Sequence, residues 1–117
     1  MSASCRVQNL TPHEVVIVGG DGAVIARFPS EGVARVAASF AAVGNIPTAG
    51  GPVPLVQGKF GAIEGLPTPV VGLFLVVSRV VAEAARGTGR QDLVVPADLV
   101  RAADGRVIGA RSLEWAK

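Results

Sequence analysis

Few side chains in this sequence are of the types that perform catalysis. The chain has one cysteine, Cys5, and one histidine, His13. A thiol nucleophile needs a fixed, electropositive site, and Cys5 lies in a stretch without a regular pattern. A zinc site would need several ligands at a suitable spacing, which one histidine and scattered carboxylates do not supply. We therefore expect no catalytic residue, no metal and no cofactor, and we interpret His13 as a residue that ties down the first strand by hydrogen bonding.

Ser78 stands where the most apolar run of the chain ends. A hydrolase nucleophile elbow has the pattern Gly-x-Ser-x-Gly, whereas Val76 and Val80 occupy the glycine positions here. Serine is also a favoured N-cap, whose hydroxyl stabilises a helix start by about 1 kcal/mol. We interpret Ser78 as the cap of a short helix, and the unpaired backbone N–H groups of a helix start also attract anions.

Arginine supplies most of the positive charge. The chain has nine arginines and two lysines, and its formal net charge is +2. No basic run occurs, which argues against a nucleic-acid or membrane-binding patch. Guanidinium groups bind phosphate or carboxylate oxygens through paired donors. The residues expected to bind an anion are Arg35, Ser78, Arg79 and Arg90, with His13, Asp92 and Arg101 as additional candidates. The alternative for Arg90 and Asp92 is a structural ion pair.

These residues are positioned by the stretch that runs from residue 73 to residue 96. Residues 73–77 predict a buried strand in which alternate side chains point to opposite faces. One face holds Leu73, Leu75 and Val77, and the other holds Phe74 and Val76. The apolar period then changes and predicts one short helix over about residues 78–86, which Gly87 and Gly89 end. Residues 93–95 predict a return strand that Pro96 closes.

Frequent turn signals predict short strands in the rest of the chain. The predicted strands are 14–18, 23–28, 33–38, 53–59, 61–63, 98–101 and 106–113. Asp-Gly turns at 21–22 and 104–105 predict two similar hairpins. Together, these strands and the helix predict a β-rich α+β fold, with six to eight short strands in a small barrel or a bent sheet and the one short helix. Exposed edges of such a sheet favour a homo-oligomer.

The length of the chain and the positions of its glycines and prolines predict the domain organisation. At 117 residues the chain predicts one domain; we assign residues 1–8 to a flexible N-terminus and 9–117 to the globular part. Residues 44–54 are rich in glycine and proline, lack charge, and predict a mobile surface loop. The single cysteine excludes an internal disulfide. The start has no secretory signal and no stretch is long enough to span a bilayer, so we expect the cytoplasm.

Several short motifs occur in a recognisable order. They are Asn9-Leu10-Thr11-Pro12-His13, Val33-Ala34-Arg35-Val36, Gly65-Leu66-Pro67, Val76-Val77-Ser78, Arg90-Gln91-Asp92-Leu93-Val94-Val95-Pro96, Val100-Arg101 and Asp104-Gly105-Arg106-Val107-Ile108-Gly109. In this order the sequence resembles a family of small uncharacterised proteins carried by bacteria and their phages. The resemblance covers residues 9–113 and implies a cytoplasmic setting linked to mobile elements, but it assigns no catalytic residue. The insert at 44–54 and the lack of tyrosine depart from the pattern.

Two functional hypotheses follow. The first is a small non-enzymatic protein that binds an anionic small molecule or nucleotide, in its sharpest form a phage-borne sponge for a nucleotide defence signal; this form rests on analogy. The second is a structural or protein-interaction module, such as an oligomer, a component of a phage particle or an inhibitor of a host protein.

Overall fold

The computed structural model describes residues 5–116 of the chain. Eight strands and one short helix follow one another along the chain. They are β1 (Arg6–Asn9), β2 (Val15–Val18), β3 (Val24–Phe28), β4 (Arg35–Thr48), β5 (Gly51–Glu64), β6 (Leu73–Val76), α1 (Arg79–Ala84), β7 (Leu93–Arg101) and β8 (Val107–Trp115). The predicted β-rich fold with one short helix is confirmed.

Six strands form one nearly closed, barrel-like sheet in the order β1-β6-β7-β8-β2-β3. The pairs β1–β6, β6–β7 and β8–β2 are parallel, whereas β7–β8 and β2–β3 are antiparallel hairpins. The two predicted Asp-Gly turns join these hairpins, and in each the aspartate Oδ1 accepts a hydrogen bond from the backbone N–H two residues later at 3.0 Å. The edge strands β1 and β3 approach each other through a single bridge between Asn9 and Ser30.

Asn9 closes the sheet at this point. It is fully buried, and its Nδ2 donates to the carbonyls of His13 (2.7 Å) and Phe28 (2.8 Å). Its Oδ1 accepts from the backbone N–H of Thr11 (2.9 Å) and from the Thr11 hydroxyl (2.6 Å). The first sequence motif is therefore a polar junction between the edge strands, and His13 takes part through its backbone carbonyl.

The sheet has apolar side chains on both faces. On one face, Leu75, Val77, Leu93 and Val95 pack with Val81 and Ala85 from the helix. On the other, Val76 and Val94 pack with Val15, Ile17 and Ala110, and the half-buried Phe74 joins them. The predicted alternation of residues 73–77 is therefore confirmed.

Strands β4 and β5 form a separate two-stranded hairpin that leaves the body. The predicted loop at 44–54 is wrong, because these residues complete the two strands around a turn at Ala49-Gly50; their predicted position at the surface is confirmed. Only the base of the hairpin joins the core, through Ala34 and the half-buried Ile63. The hairpin contributes to an elongated molecule with extents of 63 × 39 × 21 Å.

Two further boundaries differ from the prediction. Of the residues assigned to a flexible N-terminus (1–8), residues 1–4 lie outside the described part of the chain. Residues 6–8 belong to β1, because Val7 packs against the core face of the sheet and the Arg6 N–H donates to the Gly72 carbonyl at 2.7 Å. Pro96 lies within β7 and pairs with Leu113. It is tolerated because β6 pairs only as far as Val94, so no ladder bond is lost on that side.

No helix in residues 5–116 is long and apolar enough to cross a membrane.

Candidate functional site

The structure distributes the predicted anion-binding residues over three places. Ser78 is the N-cap of α1, and its hydroxyl accepts a hydrogen bond from the Val81 N–H at 3.3 Å. Arg79 begins the helix. Arg90 follows the helix in the loop before β7, whereas Arg35 starts β4 opposite Glu64 at the base of the hairpin. The capping interpretation of Ser78 is confirmed.

Arg79 lines a shallow groove between α1 and the end of β8. Arg79 pairs with Glu114 at 3.0 Å, and Arg86 pairs with Glu83 at 2.8 Å. All four side chains are more than half exposed, so these pairs add little stability. The hollow has a volume of about 230 Å³. Because each cation there already faces a carboxylate, the groove offers an anion little net attraction.

Arg90 is held rigidly. Its Nε and Nη2 donate to the two carboxylate oxygens of Asp92, both at 2.8 Å, and Nη2 also donates to the Pro67 carbonyl at 2.9 Å. The side chains are only 18% and 12% exposed. These hydrogen bonds lower the pKa of the Asp92 carboxyl and raise the pKa of Arg90, against the opposing effect of partial burial. The predicted alternative, a structural Arg–Asp pair, is what the structure contains.

The same arginine lines an open cleft at one edge of the sheet. We call this hollow of about 630 Å³ the edge cleft; its walls are residues 69–74 and 88–92. Strands β6 and β7 are parallel, so the segments that precede them meet at the same edge. Arg6 begins β1 at this edge, opposite Leu73.

The walls of the edge cleft differ in chemistry. The wall before β6 is apolar: Val70 and Val71 are exposed, and Phe74 is half-buried. The wall before β7 is polar and contains Thr88, Gly89, Arg90 and Gln91. The Trp115 indole N–H donates to the Gln91 carbonyl at 2.7 Å and ties this wall to the end of β8.

Donor groups remain available on the polar wall. Of the three guanidinium nitrogens of Arg90, Nη1 has no hydrogen-bond partner among the described residues. Within the same part of the chain, the backbone N–H groups of Gly89 and Gln91 make no hydrogen bond either. Gly89 has a φ of 83°, a left-handed conformation that favours glycine, and a Cβ there would meet no atom within 4 Å. The backbone is therefore accessible from the cleft.

The remaining predicted candidates, His13 and Arg101, lie elsewhere. His13 is exposed in the loop between β1 and β2, where its carbonyl accepts from Asn9. Arg101 is exposed and donates to the Gly105 carbonyl at 2.9 Å within the β7–β8 turn. Cys5 is exposed. No group of three or more metal-ligating side chains occurs within residues 5–116.

Sequence reasoning identified Arg90 and Asp92 but missed the wall at residues 69–74. The predicted apolar strands at 73–77 and 93–95 contained the information needed to find this wall. If these two strands pair in parallel, the segments that precede them lie side by side. Comparisons with protein-family models, with curated proteins and with solved structures give no match to this chain.

Proposed function

We propose that the protein is a non-enzymatic binding protein that holds an anionic small molecule, of the nucleotide class, in the edge cleft. The observation that carries the proposal is the immobilised guanidinium of Arg90 in the wall of a cleft of about 630 Å³. Small-molecule sites typically have volumes of roughly 300–1,000 Å³ and combine apolar walls with a few fixed polar groups. The edge cleft has both features.

The two walls match the two parts of a nucleotide. A base or nucleoside packs on the apolar wall of Val70, Val71 and Phe74, and a phosphate accepts hydrogen bonds from Arg90 Nη1 and the loop amides. Asp92 and Pro67 fix the guanidinium in advance, so little side-chain entropy is lost when the ligand binds. Arg6 at the same edge adds positive charge.

The polar side chains of the cleft support binding rather than catalysis. The Thr88 hydroxyl donates to the Ala85 carbonyl at 2.6 Å. The Asp92 carboxylate is occupied by Arg90, which lowers its pKa and makes it a weak base. A sequestering protein of the bacterial cytoplasm, including a phage-borne sponge for a nucleotide signal, needs only such a pre-formed site.

The interaction-module hypothesis remains the second candidate. The observation that favours it is the projecting hairpin β4–β5, most of whose side chains are exposed.

Isothermal titration calorimetry with a panel of mono-, di- and cyclic nucleotides tests the proposed function. The informative variant is Val71→Glu, because Val71 is fully exposed in the cleft wall and its replacement leaves the core intact. A carboxylate beside Arg90 should reduce nucleotide affinity tenfold or more. Ile25→Glu is the matched control, since Ile25 is 68% exposed on β3 and lies outside the cleft.

Arg35→Lys separates the edge cleft from a site that includes Arg35. The substitution keeps the charge but removes the paired donors. If the ligand occupies the edge cleft, affinity is unchanged; a roughly tenfold loss would move the site to the base of the hairpin. Failure of every nucleotide in the panel to bind would contradict the proposed function and leave the interaction module.

A further inference from the structure

The hairpin β4–β5 is long, apolar and almost uncharged. We call it the apolar arm. Fourteen residues per strand correspond to about 45 Å at roughly 3.3 Å per residue. Between Arg35 and Glu64 its only charged residue is Lys59. An isolated two-stranded hairpin is marginally stable in water, so such an arm requires a surface to cover it.

The register gives the arm one face that is apolar apart from Asn45 near the tip. Side chains paired across an antiparallel ladder lie on the same face, and adjacent positions alternate. On β5, Phe60, Val56 and Pro54 therefore share one face, with Phe40 opposite Gly58 between them. The Phe40 ring lies over Gly58, 3.5 Å from where a Cβ would stand. The opposite face carries Lys59 and Gln57 near the base and Leu55 and Val53 near the tip.

The tip of the arm is built to pack by its faces rather than by its edges. Pro47 pairs with Pro52, and Pro54 pairs with Asn45. A proline has no N–H, so these pairs occupy the positions where backbone N–H groups would point away from the hairpin. Three of these four outward-facing positions thus lack a donor, and only Asn45 has an N–H, which disfavours the addition of another strand there. A partner must cover the side chains instead.

The body of the same chain carries an apolar groove that needs covering. Two adjoining hollows of about 140 and 370 Å³ lie over β2, β3, β7 and β8 and share Val16 and Ile108. We call them together the body groove. Val24, Leu99, Val107 and Ile108 on its rim are 45–50% exposed. One chain therefore presents both an apolar projection and an apolar recess.

The exposed area is close to that of a stable interface. The large apolar side chains of the proposed face, Phe40, Val56 and Phe60, are 50–71% exposed, which leaves on the order of 300 Å² of apolar surface on that face. With the body groove added, the total approaches the roughly 800 Å² that each partner buries in a stable complex. The charged residues of the groove face opposite charges, Arg27 with Glu14 at 3.2 Å and Arg111 with Asp98 at 3.9 Å, so the nearly uncharged arm meets no unpaired charge there.

We propose that two copies of this chain form a homodimer by exchanging arms, with the Phe40–Phe60 face of each arm lying in the body groove of the other copy. A twofold arrangement of this kind uses both surfaces of both chains and leaves Lys59 and Gln57 facing solvent at the base. It does not depend on a ligand in the edge cleft.

Sedimentation equilibrium of the full chain tests this inference. The wild type should be dimeric at micromolar concentrations. Two variants should each raise the dissociation constant of the dimer at least 100-fold. One is the double substitution Phe40→Ser with Phe60→Ser on the arm, and the other is Ile108→Glu in the groove. Val80→Ser, which removes an apolar side chain that is 52% exposed on the helix, outside both surfaces and outside the edge cleft, is the matched control. Circular dichroism checks that each variant retains its strands.

Cross-linking gives a second test that does not rely on disrupting the arm. In a Cys5→Ser background, single cysteines at Val56 and Gln57 place a thiol on opposite faces of β5. A second cysteine at Leu99 on the groove rim should cross-link between chains through a short bismaleimide with the cysteine at 56 and far less with the one at 57. Any of three results would overturn the proposal: a wild type that is monomeric at 100 µM, a dimer whose stability does not change in the arm or groove variants, or equal cross-linking from positions 56 and 57.

Discussion

Replacement of Asn9 should lower the stability of the fold strongly, even when the new side chain has almost the same shape. The substitution Asn9→Asp exchanges one amide nitrogen for oxygen. In the wild type that nitrogen donates to the carbonyl of His13, between β1 and β2, and to the carbonyl of Phe28, at the end of β3. In the variant, a carboxylate oxygen faces two carbonyl oxygens at 2.7–2.8 Å in a site with no exposure to solvent.

The magnitude follows from the lost partners. A buried polar group left without a hydrogen bond destabilises a protein by about 1–3 kcal/mol, and two carbonyls lose their donor here. A buried charge without a counter-ion destabilises by about 3–5 kcal/mol, and the two Thr11 donors that remain on the other carboxylate oxygen offset part of this loss. We therefore expect Asn9→Asp to lower the free energy of unfolding by about 4 kcal/mol, and Asn9→Ala by about 3 kcal/mol. Domains of this size are stable by roughly 5–15 kcal/mol, so either loss is large.

Urea denaturation followed by far-ultraviolet circular dichroism measures this loss. Asn45→Ala is the matched control, because Asn45 is an exposed asparagine on the arm and its replacement should change the free energy by less than about 0.5 kcal/mol. A loss below about 1 kcal/mol for Asn9→Asp at pH 7 would refute the reasoning, since it would mean that the junction is hydrated or does not close the sheet.

Three further predictions concern the core, the ion pair and the arm. Leu75→Ala should lower the free energy of unfolding by about 2–5 kcal/mol, because Leu75 has no exposed surface; a loss under about 0.5 kcal/mol in urea denaturation would place it outside the core. The lowered pKa of Asp92 contributes stability that is present above the unfolded-state pKa of about 3.9 and is lost as pH falls through the lower folded-state pKa. Urea midpoints measured from pH 7 to pH 2 should therefore fall less steeply for Asp92→Asn than for the wild type. Parallel profiles would contradict the pairing of Asp92 with Arg90. Replacing residues 44–54 by Asn-Gly should leave the melting curve of the dilute monomer almost unchanged, because the arm joins the core only at its base; loss of folding would show that the tip supports the body.

Local patterns predicted the parts of the fold that depend on nearby residues. The alternation of residues 73–77 gave the two faces of β6, and the Asp-Gly turns gave the β2–β3 and β7–β8 hairpins. The cap at Ser78 followed from the change of period and from the preference of serine for helix starts. In each case, the determining residues lie within a few positions of one another.

The length and continuity of the apolar arm escaped prediction for the opposite reason, whereas residues 33–38, 53–59 and 61–63 are predicted correctly as strand segments over most of their length. Glycine and proline near its tip resemble a loop, and the strands pair with each other rather than with a core, so no burial pattern marks them. The parallel pairing of β1 with β6 joins residues far apart in the chain. That pairing and the β6–β7 pairing decide where the walls of the edge cleft meet, which is why Arg90 was identified but its cleft was not.

Nuclear magnetic resonance titration of the ¹⁵N-labelled protein with each nucleotide of the panel tests the central claim most directly. Binding in the edge cleft should shift the amide resonances of Gly72, Thr88, Gly89 and Gln91 and the Nε–H resonance of Arg90, with little change at Ala82 and Glu83 in the helix groove. Shifts confined to the helix groove or to the arm, or no shift with any nucleotide at millimolar concentration, would contradict the account.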